Sequence, residues 1–334
     1  MISFFHFILK FLRKFYSCFF LPKEVGQGYL DGSIMDPEEA SKVIYELLTD
    51  EKPCMIARYG GFEQATVLNY MSIVDTNFSY IDYIKGRVSE NWWNQRTLSY
   101  MQSNAGFFPS TEENAAKFSQ MMLEDTAKVE LLGSWGRKDK FFRPYFSSGF
   151  QSTHLRFLEP FWSKKVIWTK ALEGKRVLVV HPFAELIEEQ YEKNRSRLFD
   201  NPDILPQFKL QTIKAVQSIG GDNNDFRDWF DALYWMESEI DKRDYDVCLI
   251  GCGAYGFPLA AHVKRSGKKA VHLGGSLQLL FGIKGSRWEN PNYGVKEWGI
   301  PKGSYSNLIN EFWVRPGEAH KPRNAENVEN GCYW

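Results

Sequence analysis

A chain of 334 residues has room for one large domain or two modest ones, with a substantial core. Hydrophobic residues make up 43% and charged residues 25%, an ordinary soluble-globular balance, and 41 basic residues cancel 41 acidic ones, so nothing global points to nucleic acid. Five scattered cysteines, odd in number and without C-x-x-C spacing, argue against a disulfide framework or a structural zinc site and for a reducing compartment.

The first segment, residues 1–22, differs in character from the rest. "MISFFHFILKFLRKFYSCFFL" is apolar and aromatic but interrupted by Lys10, Arg13 and Lys14, so no apolar run reaches the roughly 20 residues of a bilayer span. On a helical wheel Phe5, Ile8, Leu12, Phe15, Tyr16 and Phe19 share one side, and His6, Lys10, Arg13, Lys14 and Ser17 the other. Two readings follow: a helix lying in the membrane interface with its cations over anionic headgroups, or an amphipathic helix docked on the protein's own core. The first makes the protein peripheral, on the cytoplasmic face of the cell membrane.

Asp36-Pro-Glu-Glu39 predicts a helix start with Asp36 as N-cap and Glu39 closing a capping box, and Val43, Ile44, Leu47 and Leu48 form its buried stripe. "CMIAR" (54–58) reads as a short buried strand, followed by "YGGFEQ" and a helix to about Met71. Ser110 with Glu113 predicts a second capping box and a helix of about 17 residues. "VELLGSW" (129–135) reads as a strand, and 136–165 as irregular, aromatic and basic. "KRVLVVHPF" (175–183) is the strongest strand and runs into the charged helix "AELIEEQYEKNRSRLF". A strand at 208–213 and a helix with the stripe Trp229, Leu233, Met236 and Ile240 follow. Strands "DVCLI" and "KKAVHLGG" (268–275) end the series.

Strands alternating with helices predict an α/β fold, a Rossmann-like and mostly parallel sheet with helices on both faces. The preferred partition is one such domain over 23–334, with a split near residue 170 as the alternative.

In open α/β sheets ligands bind beyond the carboxyl ends of strands. That rule singles out Arg58 to Glu63, Ser134-Trp135, His181 to Phe183, Gly251 to Gly256, and His272 to Gly275. "GCGAYG", with Gly251, Gly253, Tyr255 and Gly256, is a G-x-G-x-x-G between strand and helix. A dinucleotide site needs a carboxylate about 20 residues on, at the end of the next strand. Val271, His272 and Leu273 stand there instead, followed by Gly274-Gly275, so no NAD is expected and another phosphate-bearing ligand is favoured over it. A tight turn that only packs helix on strand is the structural alternative.

Arg58 suits a phosphate or carboxylate because its planar fork bonds bidentately. Gly60 and Gly61 allow a sharp turn, and Glu63 near the helix start either complements the helix dipole or acts as a metal ligand or base. His181 and His272 close two strands, and each is a candidate base or hydrogen-bonding group. Glu185 is a second candidate carboxylate. Lys284 and Arg287 flank Gly285 in "GIKGSRW", which suits a diphosphate or a solvated basic loop.

"MIARYGGFE" resembles the R-[FY]-G-D-G-E signature of bacterial glycosyltransferases of the GT-D type. "HPFAELIEEQY", "LIGCGAYGFPLAAHVKRSGKKAVHLGG" and "QLLFGIKGSRW" resemble a related group found with capsule and surface-polysaccharide genes, over about residues 35–334. The resemblance implies a Rossmann-like transferase that moves a sugar from a nucleotide donor to a glycan or lipid-linked acceptor. In that family a D-x-E pair holds Mg²⁺ or Mn²⁺ on the donor diphosphate. Arg58, Tyr59, Gly60 and Glu63 match the signature, with Glu63 as the one remaining metal ligand. Gly61 stands where the first metal-binding Asp belongs, and Phe62 replaces a glycine, so Arg58, Lys284 and Arg287 are expected to share in neutralising the phosphates. An NAD-dependent oxidoreductase or epimerase on nucleotide sugars, and a non-catalytic subunit of a polysaccharide assembly, are the competing readings.

Overall fold

A computed structural model describes residues 4–20, 29–218, 225–317, 321, 325 and 331–334. Residues 21 and 22 at the end of the N-terminal segment, and residues 329 and 330 of the tail, lie outside the described set.

Seven strands form one all-parallel sheet: β1 (Cys54–Ala57), β2 (Leu131–Ser134), β3 (Gln151–His154), β4 (Arg176–His181), β5 (Lys209–Lys214), β6 (Val247–Ile250) and β7 (Lys269–His272). Their order is β3-β2-β1-β7-β6-β4-β5. β1 pairs β7 with Cys54 opposite Lys269, so the two halves of the chain share one sheet.

Parallel strands are covered on both faces and read as apolar runs. Here successive strand residues alternate between two cores. Met55, Ala57, Leu178, Val180, Cys248 and Ile250 meet one helical layer. It is built from α3 (Gly61–Val74), α5 (Gln95–Ala105), α6 (Glu112–Thr126), α8 (Trp229–Asp241) and α9 (Gly256–Arg265). Cys54, Ile56, Val177, Val179, Val247 and Leu249 face the other core, with α2 (Pro37–Thr49), α7 (Ala184–Asn194) and the aromatic C-terminal region. None of the five cysteines forms a disulfide; Cys248 and Cys252 sit in the core as small apolar groups, and only Cys18 is exposed.

Several boundaries differ from expectation for local reasons. Asp36 caps α2 through the amide of Glu38. The Glu38 carboxylate is engaged across the fold by Ser163 Oγ and the Lys164 and Lys165 amides. Thr111, not Ser110, caps α6 through the amide of Asn114, because the Ser110 hydroxyl donates to the Leu98 carbonyl. The stretch 136–165 contains the edge strand β3, whose sequence "QSTH" has no apolar alternation to announce it.

Helix α1 (Phe4–Phe20) lies on the short helix α4 (Tyr80–Ile84) and turns Leu9 inward together with His6, Lys10 and Arg13. The His6 ring stacks on Trp92 at 3.9 Å, Lys10 lies 5.9 Å from the same ring, and the Arg13 guanidinium sits 4.6 Å over Tyr83. Arg13 also donates to the Val88 carbonyl at 2.9 Å. Phe4, Phe7, Phe11, Phe19 and Phe20 consequently face outward, Phe4 with 79% of its surface exposed. No helix among the described residues is long and apolar enough to cross a membrane.

Candidate functional site

From β4 the chain runs through α7 to β5, on one side, and from β6 through α9 to β7, on the other. β4 and β6 are neighbours, so their carboxyl ends form the crevice where open α/β sheets take ligands. A cleft of about 910 Å³ opens there and extends over the ends of β1, β2 and β7. It is lined by Arg58, Gly60, Gly61, Glu63, His181, Gly251, Gly253, Tyr255, His272, Gly274, Gly275 and Arg287, so most of the residues chosen from strand ends converge. Lys284 is not among the lining residues: it pairs with Glu289 at 3.3 Å. Glu185 also lies elsewhere, paired with Lys214 at 2.8 Å.

At the end of β1, Gly60 is the N-cap of α3 and has no side chain to cap it. Glu63 fills that role: its carboxylate folds back onto Gly60 and accepts the amides of Phe62 and Glu63 itself. Burial raises its carboxyl above the ordinary range, against those amides and the nearby Arg58 charge. The Arg58 guanidinium lies 5.6 Å over the Trp135 ring. A Cβ on Gly274, whose φ is +66°, would stand 3.3 Å from Arg58 Nη1, which shows how closely the guanidinium approaches that backbone. Trp135 is fixed at the end of β2 by its indole N–H to the Tyr59 carbonyl, 3.1 Å, and its amide to Asp139, 3.1 Å. Asp139 also accepts the Ser134 hydroxyl and the Gln64 amide.

The glycine turn after β6 makes room for two histidines. A Cβ on Gly251 would stand 2.7 Å from the Gly274 carbonyl and 2.8 Å from the His181 ring, and one on Gly256 would fall inside the His272 ring. Gly253 takes the left-handed conformation, φ +57°. Tyr255 turns into the core, stacked on Trp229 at 4.8 Å with its hydroxyl 2.9 Å from Ser218. Both histidines are buried, which pushes each imidazole down to about 3 and leaves it neutral. His181 Nδ1 accepts the Phe183 amide at 3.0 Å, so its proton resides on Nε2. His272 Nδ1 faces the Ile250 carbonyl at 3.2 Å and must donate, leaving Nε2 as an acceptor. One histidine is a donor and the other an acceptor, at the ends of the two strands that flank β6.

Gly275 packs against the Tyr333 ring. That ring sits 4.8 Å from the Arg287 guanidinium, and the Tyr333 carbonyl accepts from Gln278 at 3.1 Å. The aromatic tail thus closes one wall of the cleft.

Strand-end reasoning misses a further group. Lys138, Arg156, Glu159, Tyr293 and Trp298 also line the cleft. Arg156 stacks 4.2 Å over Trp162. The end of β3 delivers Arg156 and Glu159, and the strand-end rule would have found them had β3 been recognisable.

The residues offer little to a resident divalent cation. Among the described residues no three His, Cys, Asp or Glu side chains gather in metal-binding geometry, and Glu63 is already engaged by a helix N-terminus. The donor set does not fit a protein-held ion, and no chemistry is derived through one.

Searches against family models, curated proteins and solved structures found no match to the chain.

Proposed function

We propose that the protein is a glycosyltransferase that takes a nucleoside-diphosphate sugar as donor and transfers the sugar to a glycan or lipid-linked acceptor in surface-polysaccharide assembly, working at a membrane surface. The observation that carries this reading is the convergence of Arg58, Arg156 and Arg287 with the N-termini of α3 and α9 in one aromatic-walled cleft. Arginine forks and helix N-termini bind phosphate, and aromatic rings such as Trp135, Tyr293 and Trp298 present flat faces to sugar and base. The same cations stabilise the negative charge that develops on a diphosphate leaving group. His181, as donor, and His272, as acceptor, suit hydrogen bonds to sugar hydroxyls.

No carboxylate follows β7 to hold a ribose, and two of the fingerprint glycines accommodate histidine rings, so the dinucleotide reading gains nothing from the geometry.

The outward apolar face of α1 supports attachment to lipid. A run of exposed phenylalanines beside Lys14 suits the interface of an anionic bilayer. Burial, and next the charge of Arg13, hold the Lys138 ammonium below its ordinary range. Lys138 lines the cleft, so a charge carried by α1 is felt at one of the lining residues.

Calorimetric titration with UDP, GDP, dTDP and their hexose conjugates tests the reading. One of them binds, and Arg58→Ala weakens it about tenfold to a hundredfold, the effect of losing a charge-assisted hydrogen bond of roughly 1.5–3 kcal/mol. Absence of binding by every member, or protection by NAD alone, refutes it.

A further inference from the structure

The roles assigned so far leave the proton of the acceptor hydroxyl without a destination. Glu63 is held by its own helix N-terminus, and both histidines are too weakly basic to take a proton near neutrality. Two other carboxylates line the cleft, Glu159 and Glu297, and of these Glu297 is exposed to solvent while Glu159 is built into the wall.

Glu159 follows β3 by one 3₁₀ turn and is fixed on one edge. Its Oε2 accepts the Trp162 indole N–H and the Tyr305 hydroxyl, each at 2.8 Å. The Ser276 hydroxyl, which donates to the Leu273 carbonyl at 3.2 Å, lies beside the carboxyl. Oε1 takes part in neither of those two bonds, and the residue lines the cleft. The charged and titratable neighbours facing it are Arg156, Tyr305 and Tyr293. Burial dominates over Arg156, the two donors and Ser276 and lifts the carboxyl to about 7.

Position favours the same role. Gly274 abuts Arg58, and Ser276, two residues on, lies beside the Glu159 carboxyl. Arg58 and Glu159 therefore lie beside the same short turn, Gly274–Ser276, at the end of β7. The Nε of Arg156 is buried and has no acceptor among the described residues, so a hydroxyl entering here finds a donor beside the carboxylate.

We propose that Glu159 is the catalytic base that deprotonates the acceptor hydroxyl, an inference that rests on the glycosyl-transfer reading. The proton passes to Glu159 Oε1 as the hydroxyl oxygen bonds the anomeric carbon. The bond from that carbon to the diphosphate oxygen breaks, and its electron pair leaves on the nucleoside diphosphate. Glu159 then returns its proton to water. Direct attack of this kind inverts the anomeric centre.

The test compares full-length wild type, Glu159→Gln and Glu159→Asp, with UDP-, GDP- and dTDP-hexoses as donors and a polyprenyl-diphosphate hexose or water as acceptor. Donor affinity and nucleoside-diphosphate release are measured from pH 5 to 9. In Glu159→Gln the expected result is a kcat at least a hundredfold lower, with donor Kd changed less than threefold. Glu159→Asp recovers part of the rate, and the wild-type acid limb near pH 7 is absent from the residual Gln activity. A Gln variant that keeps kcat within threefold, or loses donor affinity in step with rate, overturns the assignment. A wild-type protein that binds no donor, or binds without turnover, fails at the transfer reading itself, before any variant is compared.

Discussion

The Trp135 indole stands 3.2 Å from the point where a side chain on Gly61 would begin. That ring occupies the space into which the first carboxylate of a D-x-E pair would project, and it is anchored at both its N–H groups. Gly61→Asp is therefore expected to destabilise the fold by about 1–3 kcal/mol through crowding, and to confer no Mn²⁺-dependent tightening of donor binding. Thermal unfolding and donor titration with and without Mn²⁺ measure both effects. Donor binding that becomes tighter in Mn²⁺ would show that the site needs only the missing carboxylate.

Gly256 lies under the His272 ring as Gly61 lies under Trp135. Gly256→Ala is expected to cost about 1–3 kcal/mol in urea unfolding. Residues in direct contact couple, so the double variant Gly256→Ala/His272→Ala should be less destabilised than the sum of the two single variants. Strict additivity would mean that the glycine is there for the turn alone.

These two contacts show where sequence reading succeeded and where it stopped. Strand-forming runs such as "VLVV" are apolar because both faces of the sheet are covered, and they located β4, β6 and β7 to within three residues. The strand-end rule then placed Arg58, His181, His272 and the glycine turn correctly in one cleft. It could not see that Gly251 and Gly256 are small to admit imidazoles, because that depends on which strands are neighbours. β3 is a polar edge strand, so its terminus passed unnoticed and Glu159 with it. Tyr333 was not legible as a cleft residue, since its partners Gly275 and Arg287 come from distant sequence.

The buried histidines predict a pH signature. Each has an ordinary value of 6.5 when unfolded and about 3 when folded. From pH 6.5 down to 3 the unfolded chain takes up protons that the native chain does not, so stability falls as pH falls through that window. Glu159 acts with the opposite sign: its value is 4.5 unfolded and about 7 folded, so its contribution falls as pH rises between them. Urea midpoints from pH 7 down to pH 4.5 should therefore drop more steeply in Glu159→Gln than in wild type, and less steeply in His181→Gln or His272→Gln. Parallel profiles in all four proteins would contradict these protonation states.

Helix α1 predicts lipid binding from the side it leaves uncovered. Phe7 and Phe11 are 64% and 60% exposed, while Lys10 and Arg13 are turned onto Trp92 and Tyr83. Burying a phenylalanine in an apolar phase is worth roughly 1.5–3 kcal/mol. Phe7→Ser/Phe11→Ser should then lower partitioning onto anionic liposomes at least a hundredfold. Lys14→Ala, which removes one exposed cation, should lower it only about fivefold, and only on anionic lipid, as a headgroup attraction of about 1 kcal/mol implies. Because the two phenylalanines pack against little of the protein, the double variant should unfold at the wild-type temperature in lipid-free buffer. A wild type that does not sediment with liposomes, or a double variant that melts early, would mean that this face is covered by protein rather than by lipid.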